Sequence, residues 1–342
     1  MKYPPNPTSP VAGVVYVRDP IGRVLPVVDV THPSFALDPD PGLWDRLVAA
    51  YEADLARRSQ TPGWIQKLVL ALVLRRSVLA SGMRRGRATY LGGLDTYLFK
   101  VGPQFLDPAW SVPIDRVIAS TVSGVSVRWR LDDVAGLTSR GLAAAAAQTV
   151  EPLVHLNLAG GPGSDSWNAL LLLAKEHAGV LAGRPIRVEV LDRDPVGPAF
   201  GASVLAALTA SGGPLSGGNA TWRHRDWDWN DPDPRPLVEA LGDGVGGATS
   251  EGGLFDYACD DVVRAQLEAL GTVGGPGFFV TGTLTRDDGP SASLNAGAGI
   301  PVVPRNLDGF TALAASAGWG VDEVVTRPLY HAFRLRKRGV AE

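Results

Sequence analysis

A single cysteine, Cys259, stands in 342 residues, which excludes an intramolecular disulfide and any Cys-x-x-Cys metal or redox pair. Histidine is almost as scarce. The five histidines fall into no HExxH or similar spacing, so no metal is expected. Net charge is −3, from 32 basic and 35 acidic residues, and the chain lacks the excess of positive charge that would draw it to nucleic acid or an anionic membrane. Long apolar runs are missing as well. The longest aliphatic stretch, residues 68–74, is flanked by Lys67 and Arg75-Arg76 and falls far short of the ~20 residues that span a bilayer. The opening residues, Met1-Lys2-Tyr3-Pro4-Pro5-Asn6-Pro7, have no apolar segment of the secretory kind and read as an extended arm, so the expected compartment is the reducing cytoplasm.

What is present is the composition of a folded protein, 45% hydrophobic and 20% charged, in a chain long enough for two domains of about 150 residues each. The pattern changes near residue 150. In the first part, residues 11–37 carry two β-branched runs, GVVYV and RVLPVVDV, about Asp19-Pro20-Ile21-Gly22, which predicts a hairpin of short strands. Apolar residues at helical spacing follow over 44–57, 63–80, 114–124 and 132–150, and residues 1–150 read as a mainly helical α+β cap. Arg75, Arg76, Arg84, Arg85 and Arg87 read as a solvated helix end. Tyr90, Tyr97 and Phe99, in a glycine-rich aromatic segment, lie over a ligand or pack between the domains.

From 151 to 342 strands and helices alternate, as in an α/β parallel sheet. Strands are predicted over 154–158, 186–191, 220–225, 245–250 and 277–284, with residues 289–304 as a mobile loop. A helix over 307–317 then leads to strands at 321–326 and 330–336, close enough to pair antiparallel. The expected fold is α/β, a Rossmann-like, seven-stranded, mostly parallel sheet with an antiparallel last hairpin.

The first strand runs into Asn157-Leu158-Ala159-Gly160-Gly161-Pro162-Gly163, glycines placed where a ligand touches the backbone. A dinucleotide fingerprint wants bare amides at the helix start. Here Ser166 takes the third glycine position, Pro162 has no N–H, and Asp165 in the first helical turn would repel a diphosphate. No P-loop lysine is present. A cationic or zwitterionic ligand suits this turn better.

The segment resembles the first motif of the class I S-adenosylmethionine-dependent methyltransferases, an acidic residue followed by alternating glycines, and departs from it at Asn157 and Ala159. The resemblance covers residues 151–337. It implies that Asn157, Ala159, Gly160, Gly161 and Gly163 line the cofactor, and that Asp192, with Arg193 beside it and Asp194 as a competitor, accepts from the ribose hydroxyls. Asp226 would face the adenine amino group and Trp227 the adenine ring. Glu251 and Tyr257, in a segment similar to the family's post-strand GLFDYL-like stretch, would lie near the reacting methyl, Tyr257 on the substrate side. His224 is a candidate base with a structural alternative; His155 reads as a core residue and His331 sits in the closing hairpin. The implied cofactor is S-adenosylmethionine, with S-adenosylhomocysteine as product. The implied activity is methyl transfer by in-line displacement to an O-, N- or C-nucleophile of a small molecule. Two alternatives stay open: a non-methylating activity on the same cofactor, and a nicotinamide-dependent oxidoreductase. Trp222, Trp227 and Trp229 lie among arginines, but Asp226, Asp228, Asp231 and Asp233 cancel that charge, so neither nucleic acid nor membrane is an expected partner. A homodimer is left open.

Overall fold

The computed structural model describes residues 10–37, 40, 42–60, 62–63, 74–86, 90–181, 183–275, 277–298 and 300–339. Strands β1 (Tyr16–Arg18) and β2 (Val24–Pro26) form the antiparallel hairpin read from the sequence. Asp19 closes its turn by accepting from the Ile21 and Arg23 amides and pairing with the Arg23 side chain. Helices α1 (Leu43–Ser59), α2 (Val78–Gly86), α3 (Gly93–Lys100), α4 (Pro113–Ala119) and α5 (Val122–Ala146) follow. The helix predicted over 63–80 and the basic residue Arg87 lie largely outside the described residues. The stretches predicted over 114–124 and 132–150 divide elsewhere, at Ser120-Thr121. Thr121 caps α5 by accepting from the Gly124 amide, and α5 then runs unbroken for 25 residues.

The sheet contains β3 (Leu153–Leu158), β4 (Pro185–Leu191), β5 (Asn219–Arg225), β6 (Val245–Ser250), β7 (Phe279–Thr285), β8 (Trp319–Thr326) and β9 (Tyr330–Lys337). Its order is β5-β4-β3-β6-β7-β9-β8. The first five strands are parallel, while β9 runs antiparallel between β7 and β8. The crossovers carry α6 (Ser164–Glu176), α7 (Val196–Thr209), α8 (Arg235–Leu241), α9 (Asp260–Val273), α10 (Gly289–Ala298) and α11 (Leu307–Ser316). β3 is buried along its whole length, as a central parallel strand covered on both faces must be.

Two apolar layers sandwich the sheet. On one side Leu237, Leu267 and Phe310 pack with Leu156 and Phe333. On the other, Leu131 and Leu142 of α5 and Trp167 of α6 pack with Val188 and Phe279. That second layer continues into Leu25, Val27, Tyr97 and Phe99. The residues before 150 therefore share one core with the sheet. Tyr97 and Phe99 belong to it: Tyr97 is fully buried and donates from its hydroxyl to Pro26 O (2.7 Å).

Residues 289–304 differ from expectation. Their first part is helix α10, and the rest is pinned: the Val303 amide donates to Asp256 O, and the buried Arg305 donates to Phe255 O and Ala258 O. The polar, glycine-bearing sequence hid a helix made of small residues that tolerate it. Among the described residues, no helix is long and apolar enough to cross a membrane.

Candidate functional site

In an open parallel sheet, ligands bind beyond the carboxyl ends of the strands, where the connections diverge to opposite faces. Here that point lies between β3 and β6. Ala159, Gly161 and Gly163 alternate with φ of +52°, +56° and +67°, so the chain leaves β3 through three left-handed residues before entering α6. Glycine is free of strain there; Ala159 bears a cost of about 1–2 kcal/mol and is the sole non-glycine residue of positive φ among those described. The turn is closely covered. A Cβ on Gly161 would lie 2.5 Å from Gly93 Cα at the start of α3, and one on Gly163 would meet the Trp222 ring at 2.5 Å.

Asn157 is fully buried at the end of β3. Its amide nitrogen donates to Asp165 Oδ1 (2.8 Å) and Ser166 Oγ (2.7 Å), while its Oδ1 has no partner within the protein. This accounts for the departure from an acidic residue at 157, because a carboxylate there would oppose Asp165 at hydrogen-bond distance. Burial, with Glu251 adding to it, pushes the Asp165 carboxyl up to about 6.

Asp192 follows β4. One carboxylate oxygen accepts from the Gly161 amide and the other from the Asp194 amide, each at 2.8 Å. Burial raises its pKa, with the two amides opposing. The Asp194 side chain is spent on the Val196 amide at the start of α7. His224 Nε2 lies 2.8 Å from Asp192 O and so braces this end of β4. Arg193 pairs with Asp228 at the surface (3.0 Å). Asp226 is exposed just past β5, whereas Trp227 is buried in the apolar layer with Leu158 and Leu191. The expected ring surface at 227 is thus turned into the core, since the most apolar side chain of an acidic loop takes the buried place.

At the end of β6 the geometry is densest. Glu251 is buried between Lys100 Nζ of α3 and Arg130 Nε of α5, and Lys100 also donates to Ser164 Oγ (2.7 Å). Burial works against the charge of Glu251, but the two cations hold its carboxyl below the usual range. Arg130 is raised: burial opposes its charge, and Glu251 and the nearby Asp256 more than compensate. Asp256 itself ties this corner to β7 through Thr283 and Thr285. The Tyr257 hydroxyl accepts from the Leu91 amide (3.4 Å), and its ring meets Tyr90 edge-on, which in turn meets Trp229. Burial raises the Tyr257 pKa.

The structure therefore gathers Asn157, the 159–163 turn, Asp192 and Glu251 at one sheet edge, with Tyr257 beside Glu251. Lys100, Arg130 and Ser164 join them, unanticipated from sequence. Lys100 and Arg130 lie more than 100 residues from Glu251 in the chain, and no local pattern marks them. Glu251, Lys100 and Arg130 thus satisfy one another within the fold.

No protein-family model and no curated protein matches the chain. Among solved structures, a possible exported protein from Bordetella parapertussis superposes with a TM-score of 0.52 at 16% identity, over 88% of this chain and 99% of that one. The mitomycin 7-O-methyltransferase MmcR aligns at 0.40 and 17% identity, over 66% of this chain and 58% of its own. The O-methyltransferase NcsB1 of neocarzinostatin biosynthesis, solved with S-adenosyl-L-homocysteine and 1,4-dihydroxy-2-naphthoic acid, aligns at 0.37 and 20%, over 60% and 57%. The chain spans little more than half the length of these two enzymes. With five parallel strands, a glycine turn after the central one, and an antiparallel strand inserted before the edge, the chain has a Rossmann-like α/β fold.

Proposed function

We propose that the chain binds S-adenosylmethionine across the carboxyl edge of its sheet and catalyses methyl transfer to a small-molecule acceptor. The observation that carries this reading is the alternation of left-handed residues at 159, 161 and 163 set against the Asp192 carboxylate at the end of the neighbouring strand. The residues present fit the cofactor. Asn157 Oδ1 is a buried acceptor without a partner. Asp192 retains lone pairs for ribose hydroxyls, and the exposed Asp226 lies at the next strand end for the adenine amino group. When bound, the cofactor supplies an electrophilic methyl on a sulfonium, which an acceptor's nucleophile displaces in line.

The chain's own part is alignment and exclusion of water. Residues 1–150 act as the lid: α3 sits on the glycine turn through Gly93, and Tyr90 reaches Tyr257. Tyr257 holds this cover to the end of β6, its ring against Tyr90 and its hydroxyl on the Leu91 amide. His224 is a strut of the β4 end in this reading, because its ring is committed to Asp192 O.

Calorimetric titration with S-adenosylhomocysteine, run beside NAD and NADP, tests the proposal. Micromolar binding of the first ligand alone is expected, and Asp192→Ala should weaken it about tenfold to a hundredfold, the scale of lost charge-assisted hydrogen bonds. Binding of a nicotinamide cofactor in its place, or of none of the three, overturns the proposal.

A further inference from the structure

A second set of polar groups on α5 has no role in the site just described. Between α5, the end of α3 and the segment after β2 lies a cavity of about 200 Å³. Val30, Phe35 and Trp129 give it apolar walls, and Gln104, Arg128 and Asp132 give it polar ones. Arg128 is the anomaly. Its Nε is buried without a hydrogen-bond partner, and no described carboxylate forms an ion pair with it. Burial alone lowers its pKa to about 10, with no neighbouring anion to restore it. A half-buried guanidinium whose Nε is enclosed without a partner is costly, and such groups are retained where something else satisfies them.

Asp132 lines the same cavity one helical turn on, yet the two side chains do not pair. Among the described residues the Asp132 side chain has no hydrogen-bond partner, and burial, with Asp133 beside it, pushes its carboxyl up to about 6. The adjacent Asp133 shows the contrast: it accepts from both Arg327 nitrogens (2.9 Å each) and from the Tyr330 hydroxyl (2.7 Å). The backbone also makes room for the guanidinium. Gly102 has φ of +81°, and a Cβ there would meet Gln104 Oε1 at 2.9 Å and Arg128 Nη1 at 3.3 Å. Finally, Lys100 lines the cavity while its Nζ reaches Glu251 and Ser164, so one side chain forms the wall between this cavity and the sheet edge.

We infer that the cavity is the acceptor site and takes a small organic carboxylate, its carboxylate on the Arg128 guanidinium and a hydroxyl or amine of the same molecule donating to Asp132. Arginine's planar fork matches a carboxylate with two parallel hydrogen bonds, and the apolar walls accommodate an aromatic or aliphatic body. The inference deepens the proposed methyl transfer and rests on it for the word acceptor; the binding of a carboxylate does not.

The test is calorimetry on the full chain with benzoate, 4-hydroxybenzoate and indole-3-acetate as probes, and 4-hydroxybenzamide as the uncharged counterpart. At least one carboxylate should bind the wild type and the surface variant Arg264→Gln equally. It should bind Arg128→Gln at least tenfold more weakly, with Arg128→Lys between them, and where 4-hydroxybenzoate binds, its amide should fall by a similar factor. Thermal melting of each variant establishes that it is folded. Equal binding to the wild type and Arg128→Gln, or no binding of any of the three carboxylates to folded wild type, overturns the inference. Titration of the same samples with S-adenosylhomocysteine separates the two readings. Arg128-dependent carboxylate binding without S-adenosylhomocysteine binding keeps the cavity and defeats the methyl transfer. The reverse result keeps the cofactor and defeats the cavity.

Discussion

Arg128 and Arg130 stand two residues apart on α5, a spacing that turns them to different sides of the helix. Arg130 meets Glu251, itself held by Lys100, and burial there is offset by a complete set of opposite charges. Arg128 lines a cavity and has no ion-pair partner among the described residues. One helix thus carries a guanidinium that the fold has satisfied and another that it has left for a ligand. The first belongs to stability and the second to binding. The difference predicts opposite responses to neutralisation. Glu251→Gln strands two buried cations and should cost about 3–5 kcal/mol in urea unfolding at pH 7, the scale of a broken buried ion pair. Arg128→Gln removes an unpaired charge and should change stability by less than about 1 kcal/mol, or raise it. Similar losses in the two variants would erase the distinction. The Glu251 term has a sign in pH as well: its carboxyl is held below the ordinary range, so the stabilisation is intact at neutral pH and is lost only as pH falls through that lowered value.

A smaller effect separates two neighbouring glycines of the lid. A Cβ on Gly93 would fall 2.6 Å from Gly161 Cα and 2.9 Å from Pro162 Cδ, so α3 would have to retreat from the turn. A Cβ on Gly92 would meet only the Asp95 carboxylate, at 3.3 Å, and that side chain can swing away. Gly93→Ala should therefore cost about 1–3 kcal/mol in thermal unfolding and weaken S-adenosylhomocysteine binding, whereas Gly92→Ala should do neither. Equal behaviour would mean that α3 does not hold the lid against the turn.

The sheet was legible because short segments rich in Val, Leu and Ile recur between glycine- and proline-bearing turns, and residues 153–158 and 185–191 are of that kind. Residues 289–304 were not legible as structure, since a helix of Gly, Ser, Ala and Asn has no apolar stripe to announce it. The site divides in the same way. The turn at 159–163 and the acids at 192 and 251 sit at strand ends, and strand ends can be placed from sequence. Lys100, Arg128, Arg130 and Asp132 sit mid-helix or at a helix end, where a charge ordinarily means solvent, and only tertiary packing decides that these are enclosed. Trp227 failed for another reason. The resemblance placed its ring against the adenine, but the indole has enough apolar area to be drawn into the layer under the sheet, with Trp229 partly buried beside it.

A last comparison, within α5, tests how far the Asp132 carboxyl is withdrawn from water. Asp132 has a folded pKa near 6 against an ordinary 3.8, so between those values the folded chain holds a proton that the unfolded chain has released. Its contribution is fully present below pH 3.8 and is lost as pH rises through 6. Asparagine at this position never ionises and escapes the loss. Asp132→Asn should match the wild type at pH 4 and exceed it by about 1–2 kcal/mol at pH 8, the shift being discounted for the solvent that still reaches the side chain. Asp133→Asn should do the reverse at pH 8, because it removes the partner of Arg327 and Tyr330. Identical stability of Asp132→Asn and wild type at both pH values would mean that water solvates the 132 carboxylate. Water would then reach Arg128 as well, and a solvated guanidinium needs no ligand to explain it.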